Sequence, residues 1–482
     1  MTGLLNETDG LRADRAWRAG EMTAAIEAAD RALSHGDDPD CLAAGVAAAA
    51  AAADGSLFDA ADRWRGVASV LPGAAGAQAG GRAALAAAML GDVEVAGRDF
   101  AGARELLPGA APRGLTVLLE GVAATLAAVS GDFDAAARRL AGLAVASVPA
   151  DPMASERWDD LAVTVMVAGG ADRTARETLA ATPERQTARR RLLAAWLNLR
   201  TGRLADARAG LAAAGGTQIL RRDAVLAAAT AVGLARRAGD DDALRATWHR
   251  VAPVVVGADV EVLLLDAWGE LSVGAALVAP VERDSIEAAM AEAVDRAGGP
   301  SWGMATLAWW ALQRAVVAGD PATAAAAAAH LTGDDARSAS ARVWAAILTG
   351  TVDAAAVQAA AVALADADRP WEAATLCGAA ASRLTDAATV RDLLGTGRAL
   401  RATVEPRTAS GGLSTRERSV GELLLDGLTQ KEIGARLYIS PKTVEQHVAR
   451  LRQKLLATNR SELIAALRAK LSVHAKVDHA GS

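Results

Sequence analysis

The chain has 482 residues, a net charge of −6 and an apolar content of 52% with only 3% aromatic residues, a size that leaves room for two or more domains with large cores. Its longest alanine-rich apolar run, residues 41–53, is too short to span a bilayer, and the N-terminus lacks the basic-then-apolar layout of a signal peptide. A soluble cytoplasmic protein is therefore expected; the two widely separated cysteines, Cys41 and Cys377, suit a reducing cytoplasm and read as buried structural thiols.

From the N-terminus to residue 404 the apolar residues are mostly alanine and strand-type runs are few, so an all-helical body is expected. A glycine, an apolar residue two places on and an alanine five places on recur at Gly20/Met22/Ala25, Gly55/Leu57/Ala60, Gly91/Val93/Ala96, Gly131/Phe133/Ala136, Gly202/Leu204/Ala207 and Gly350/Val352/Ala355. Looser versions lie near Gly170, Gly239 and Gly319, and most steps between neighbours are 31 to 40 residues. A period of this size, with glycine in the turn and small residues where paired helices touch, predicts helical hairpins stacked into a curved solenoid. A non-repetitive helical bundle with chance Gly-Asp turns is the plainer alternative.

All eleven tryptophans, Trp17 to Trp371, fall in this body and are expected to fill gaps between alanine-rich helices. Trp309 and Trp310 are the first candidates for a concave ligand groove, because two adjacent helical residues do not share one core stripe. The Asp240-Asp241-Asp242 run beside a turn glycine reads as a helix N-cap rather than a metal site. Residues 405–412 (EPRTASGG) read as a linker, and 472–482 as a flexible tail.

Between linker and tail, residues 413–471 predict four short helices. Capping boxes open three of them: Ser414 with Glu417, Thr429 with Glu432 and Asn459 with Glu462. Ser440-Pro441 opens the fourth, a hydroxyl cap followed by proline at the first helical position. Apolar residues recur at helical spacing: Val420, Leu423 and Leu424; Ile433 and Leu437; Val444, Val448, Leu451 and Leu455; Leu463, Ile464, Leu467 and Leu471. Three residues, Tyr438 to Ser440, separate the second helix from the third, the spacing of a helix-turn-helix.

Unwrapped at about 100° per residue, the third helix places Val444, Val448, Leu451 and Leu455 on its core side. The opposite side presents Lys442, Gln446, Ala449, Arg450 and Gln453, with Thr443, His447 and Lys454 on one edge and Glu445 and Arg452 on the other. Amides and arginines read base edges in a major groove, while lysines, hydroxyls and imidazoles hold phosphates. An ordinary solvated amphipathic helix is the bland reading; caps, turn length and face chemistry together favour DNA. Charge agrees: residues 407–482 carry thirteen Lys and Arg against seven Asp and Glu, a net of +6, so residues 1–406 carry −12. All five lysines lie at or beyond Lys431. A GC-rich genome would explain arginine over lysine everywhere, but not that confinement.

Residues 413–471 resemble the C-terminal DNA-binding domain of the LuxR/NarL family of bacterial transcription regulators. The likeness runs through Leu413, Thr415-Arg416-Glu417-Arg418, Gly427-Leu428, Lys431-Glu432-Ile433, Leu437, Ile439-Ser440, Thr443-Val444, His447, Lys454-Leu455 and Asn459-Arg460. Carried over by position, it implies phosphate contacts at Lys431, Thr443 and His447, which Lys454 joins from its edge. Glu445, Gln446 and Ala449 take base-facing places, beside Lys442, Arg450 and Gln453. It departs at Leu456-Ala457, where the family usually ends this helix with Gly-Val. Glu445 stands where many members carry a basic residue, and could accept from a cytosine amino group or merely repel phosphate and sharpen register.

The resemblance also implies dimers on paired half-sites, and Leu463, Ile464, Leu467 and Leu471 are the expected homodimer contact. The repeat body is similar to degenerate tetratricopeptide repeats, as in MalT-like regulators without their ATPase. It is expected to sense a small molecule or dock a protein, with RNA polymerase a further partner. No lysine precedes position 431, so neither a P-loop nor a receiver domain can be built. No catalytic or metal constellation stands out, and the body's three histidines, His35, His249 and His330, are far apart. No enzyme, cofactor or metal is expected. The competing expectation is a repeat scaffold whose helix-turn-helix contacts another protein, as sigma-like modules do.

Overall fold

The computed structural model describes residues 8–36, 38–107, 109–145, 153, 157–181, 187–215, 220–404, 415–437, 441–455 and 463–468; the side chains of 402–404, 415, 416, 441, 442, 453 and 454 are outside it. Every regular element among the described residues is helical. The chain separates into two compact units, a body of residues 1–235 and 244–404 and a second unit to which 236–243 and 405–482 are assigned.

The body runs from the helix Asp9–Arg18 to the helix Ala387–Val404. Its repeat punctuation is physical. The six recurring glycines, at positions 20, 55, 91, 131, 202 and 350, all have positive φ, between 79° and 104°. Gly91 shows why no other residue serves: at φ +82° a Cβ would also sit 2.7 Å from the Ala293 carbonyl oxygen. Five of the six motif alanines, Ala25, Ala60, Ala96, Ala136 and Ala207, are 0% exposed. There a methyl group lets paired helices approach closely. Ala355 is exposed instead, and at that turn Asp353 caps the helix by accepting from the Ala355 and Ala356 amides at 2.9 and 3.2 Å.

Sequential helices pack on one another, as a repeat array requires, but contacts are not confined to neighbours. The Trp302 indole donates to the Val129 carbonyl at 2.9 Å, Arg296 to the Leu90 carbonyl at 3.3 Å, and the Phe58 amide to Asp259 at 3.1 Å. Positions about 200 residues apart therefore hold each other in addition to the sequential packing. The largest apolar core correspondingly draws on residues from Leu57 to Ala297.

Two buried ionic clusters stitch this body together. In one, Arg189 reaches Asp223 at 2.7 Å and Glu261 at 3.1 Å, and Arg222 reaches Glu261 at 3.2 Å. Burial alone would raise the Glu261 carboxyl, but Arg189 and Arg222 hold it below its ordinary value. In the other, Asp266 receives Arg200 at 2.6 Å, Arg337 at 2.9 Å and the Trp310 indole at 2.8 Å. Asp172 receives Arg200 at 2.9 Å and Arg369 at 3.4 Å. Burial opposes the charge on Asp266, yet Arg337, Arg200 and Arg369 outweigh it and hold that carboxyl far below the usual range. Arg369 bears the cationic surplus: burial, then the charge of Arg200, pushes it down to about 10.

Several expectations meet their outcome here. Asp240 caps the following helix, accepting from the Ala243 amide at 3.0 Å. Cys377 is buried, whereas Cys41 is half-buried in a left-handed backbone conformation at φ 53°. The ligand groove expected at Trp309 and Trp310 is not there. They are 1% and 5% exposed, because the helix Ser301–Ala318 is covered on two sides. Trp309 lies in an apolar cluster with Leu312 and Trp344, while Trp310 turns to Asp266 across Gly269, whose missing Cβ would lie 2.2 Å from the indole ring.

Candidate nucleic-acid interface

The second unit contains the helices Thr415–Leu425, Gln430–Leu437 and Pro441–Leu455, followed by helical residues 463–468. Its core is the row read from helical spacing: Val420, Ile433, Val444, Leu451 and Leu467 are all 0% exposed, with Leu424, Val448 and Leu463 beside them. Gly421 brings the first helix against the last, since a Cβ there would lie 2.8 Å from the Leu467 side chain.

The first helix stops at a left-handed Gly427, φ 85°, after which the Leu428 amide bonds back to the Leu423 carbonyl at 3.1 Å. Thr429 then opens the second helix with both halves of a capping box. Its amide donates to Glu432 Oε2 at 2.7 Å, and the Glu432 amide donates to Thr429 Oγ1 at 3.4 Å. Those bonds hold the Glu432 carboxyl below its ordinary value. Of the other caps, Ser414, Ser440, Asn459 and Glu462 lie outside the described residues, while Glu417 is buried at 3% exposure. The second helix ends at Leu437 and the third begins at Pro441, which keeps the expected three-residue spacing.

The third helix has a hidden and an open side. Val444 and Val448 face the core, and Glu445, Gln446, Ala449, Arg450 and Arg452 are exposed. Thr443 and His447 are half-buried on one flank, and Lys431 is exposed on the second helix. The candidate side chains of Lys442, Gln453 and Lys454 lie outside the described residues, as does Leu471. The helix continues to Leu455, and the Leu456-Ala457 departure lies outside the description.

The expected dimer contact needs correction. Leu463 and Leu467 are 1% and 0% exposed inside the unit's own core, so a partner could reach them only by opening it. Ile464 alone of the four is described as half-buried. Sequence reasoning also passed over Arg452 as a mere helix edge; it borders a groove whose floor comes from three helices. Among the described residues no group of acidic, histidine or cysteine side chains could hold a metal, and no helix is long and apolar enough to cross a membrane.

The family model for "Bacterial regulatory proteins, luxR family" matches residues 412–467. Over 55 residues the chain is 46% identical to the spore germination protein GerE of Bacillus subtilis, a match covering 11% of this chain and 74% of GerE. Over 51 residues it is 51% identical to the transcriptional regulatory protein UhpA of Escherichia coli, covering 11% of this chain and 26% of UhpA. Thus the chain spans about three quarters of one relative and about a quarter of the other. The Thr429–Glu432 capping box, the buried core row and the turn spacing lie within the matched residues, and the chain belongs to the LuxR family of bacterial regulatory proteins.

Proposed function

We propose that this protein is a sequence-specific transcription regulator whose helix Pro441–Leu455 enters the major groove of duplex DNA. The observation that carries this reading is the division of that helix into a buried Val444–Val448–Leu451 row and an open Glu445–Gln446–Ala449–Arg450 face. Gln446 and Arg450 are the base readers, and Glu445 accepts from a cytosine amino group. Ala449 keeps the centre of the face low, so that the helix axis lies close to the bases. Lys442 and Gln453 extend the same face. Lys431, Thr443, His447 and Lys454 hold phosphates on either side and set the register.

The repeat body, similar to degenerate tetratricopeptide repeats, is the sensing or docking part for a small molecule or protein. Half-site pairing uses Ile464 and Leu471 rather than the buried Leu463 and Leu467. A DNA partner places the protein in the cytoplasm, where RNA polymerase is a further contact. The test is a fluorescence-anisotropy titration of the full chain against random duplex at low salt, followed by selection of bound sequences. Micromolar or tighter binding with an enriched motif is expected. No binding in that range would leave a protein-docking scaffold instead.

A further inference from the structure

The body holds a pair of adjoining spaces, none of whose lining residues is assigned to DNA. The helices Met22–His35, Leu42–Asp54 and Leu57–Val70 and the short turn Arg221–Asp223 border a groove of about 400 Å³. That volume falls in the range of roughly 300–1,000 Å³ typical of ligand sites. Its floor is Ala47, Ala50, Ala51 and Ala53, half-buried rather than part of the core, and its walls include Met22, Ile26 and Leu220. Beside it lies a smaller cavity of about 20 Å³. The two share Asp54 and Arg221, which pair at 3.6 Å with both side chains more than half exposed, a contact that parts at little cost. Trp268 lines the smaller cavity, and its indole N–H is buried, at 1% exposure, with no hydrogen-bond partner. The carboxylates nearby are engaged: Glu261 by Arg189 and Arg222, and Asp259 by the Phe58 amide. A buried donor left without an acceptor is costly, so this cavity calls for an occupant that brings one.

Size and charge narrow the chemistry of that occupant. The smaller cavity takes one oxygen-sized group, since about 10–15 Å³ is enough for a water, and the groove takes the rest. Among the described residues lining the two spaces, the carboxylates Asp30, Asp54, Asp59, Asp259 and Glu261 outnumber the guanidiniums Arg63, Arg221 and Arg222. A carboxylate or phosphate head is therefore repelled. An ammonium head has no lone pair to offer the indole. An uncharged carbonyl or hydroxyl oxygen meets both conditions, and an apolar tail behind it covers the alanine floor. We propose that the body binds a small, uncharged, largely apolar molecule that lies in the groove and passes its oxygen between Asp54 and Arg221 to accept from the Trp268 indole. Calling this sensing rests on the proposed function; the binding itself does not.

The probe is 2-octanone, titrated into the nitrogen-15-labelled full chain without DNA and followed by the indole N–H signals in NMR. The Trp268 signal, identified by its loss in Trp268→Phe, should shift and saturate by about 1 mM. Octanoate and octylammonium, which put charged heads on a similar tail, should bind at least about tenfold more weakly. The Trp344 indole, also buried and without a partner but lining neither space, should not move. Trp268→Phe keeps an aromatic ring and drops the donor, and should weaken 2-octanone by about three- to tenfold in calorimetry. Ala50→Leu fills the groove from its floor and should abolish the shift, with the ligand-free Trp268 signal and the melting temperature unchanged. Where Trp268→Phe lowers the melting temperature, the three probes on the wild-type chain decide. Any of four results overturns the assignment: no saturable Trp268 shift with 2-octanone, which leaves solvent as the only occupant; equal affinity for either charged probe; an equal shift at Trp344; or undiminished binding to a folded Ala50→Leu chain. No DNA enters this titration, so failure of the site and failure of DNA binding are read separately.

Discussion

Asp266→Asn is the sharpest probe of how the body is held. Asp266 is 8% exposed and receives Arg200 at 2.6 Å, Arg337 at 2.9 Å and the Trp310 indole at 2.8 Å. An asparagine fits the same space but brings no charge and turns an amide toward a guanidinium. Arg200 and Arg369 would then share Asp172, while Arg337 would lose the carboxylate it pairs with in this cluster. Breaking a buried charge network by removing one partner costs about 3–5 kcal/mol. That is a large share of the roughly 5–15 kcal/mol that holds a domain.

The pH dependence of that loss has a definite sign. Asp266 has a folded-state value held far below that of an unfolded aspartate, about 3.9. Its stabilisation is therefore complete above about pH 4–5 and lost only as pH falls toward the folded value. Urea unfolding of the full chain, followed by helical circular dichroism, should show a gap of about 3–5 kcal/mol between variant and wild type. The gap should be the same at pH 5.5 and pH 8. Asp59→Asn, which breaks the exposed pair with Arg63, should shift the curve by less than about 0.5 kcal/mol. A loss under about 1 kcal/mol at Asp266, or a gap that opens between those two pH values, would refute the argument.

Gln446→Ala should cost about 1–3 kcal/mol on a selected site and relax preference at one base pair, read by titrating single-base variants of that site. Lys431→Ala should weaken all duplexes alike and make the slope of log affinity against log salt shallower by about one unit. Gly91→Ala combines left-handed backbone strain with a Cβ pressed to 2.7 Å from the Ala293 carbonyl, and should destabilise the body by about 2–4 kcal/mol by thermal melting. Gly97→Ala, whose Cβ would meet nothing within 4 Å apart from its chain neighbours and its own helix backbone, should instead stabilise by about 0.5–1 kcal/mol.

What was legible in the sequence is local. The Thr429–Glu432 box, the left-handed Gly427 and the Val444–Val448–Leu451 row each follow from residues within a few positions of one another, and each has its expected geometry. The turn glycines are legible for the same reason. The Asp266 cluster leaves no periodic trace, because Arg200, Arg337 and Trp310 come from 44 to 71 positions away. Trp309 and Trp310 misled because adjacent helical residues point apart, which separates two core stripes from each other as readily as core from solvent. A helix covered on one side exposes one of such a pair; the helix Ser301–Ala318 is covered on two. Leu463 and Leu467 misled in the opposite sense. A core this small uses more of its last helix than helical spacing alone suggests.

The confinement of lysine to the DNA-binding end has a physical reading beyond genome composition. Arg200 lies 3% exposed and uses different nitrogens for different acceptors: Nε for Asp172 at 2.9 Å, Nη1 for Asp266 at 2.6 Å and Nη2 for the Val167 carbonyl at 3.5 Å. A planar fork can bridge carboxylates on separate helices, and a single ammonium cannot. On the DNA side the requirement reverses, since a hydrated point charge on a flexible stem suits a phosphate. Arg200→Lys, which keeps the charge, should accordingly cost about 2–4 kcal/mol in urea unfolding, because one buried carboxylate loses its partner. Arg63→Lys, in the exposed pair with Asp59, should cost less than about 0.5 kcal/mol. Equal shifts for the two substitutions would mean that arginine fills the body through codon usage alone; a large difference means that the buried clusters require its geometry.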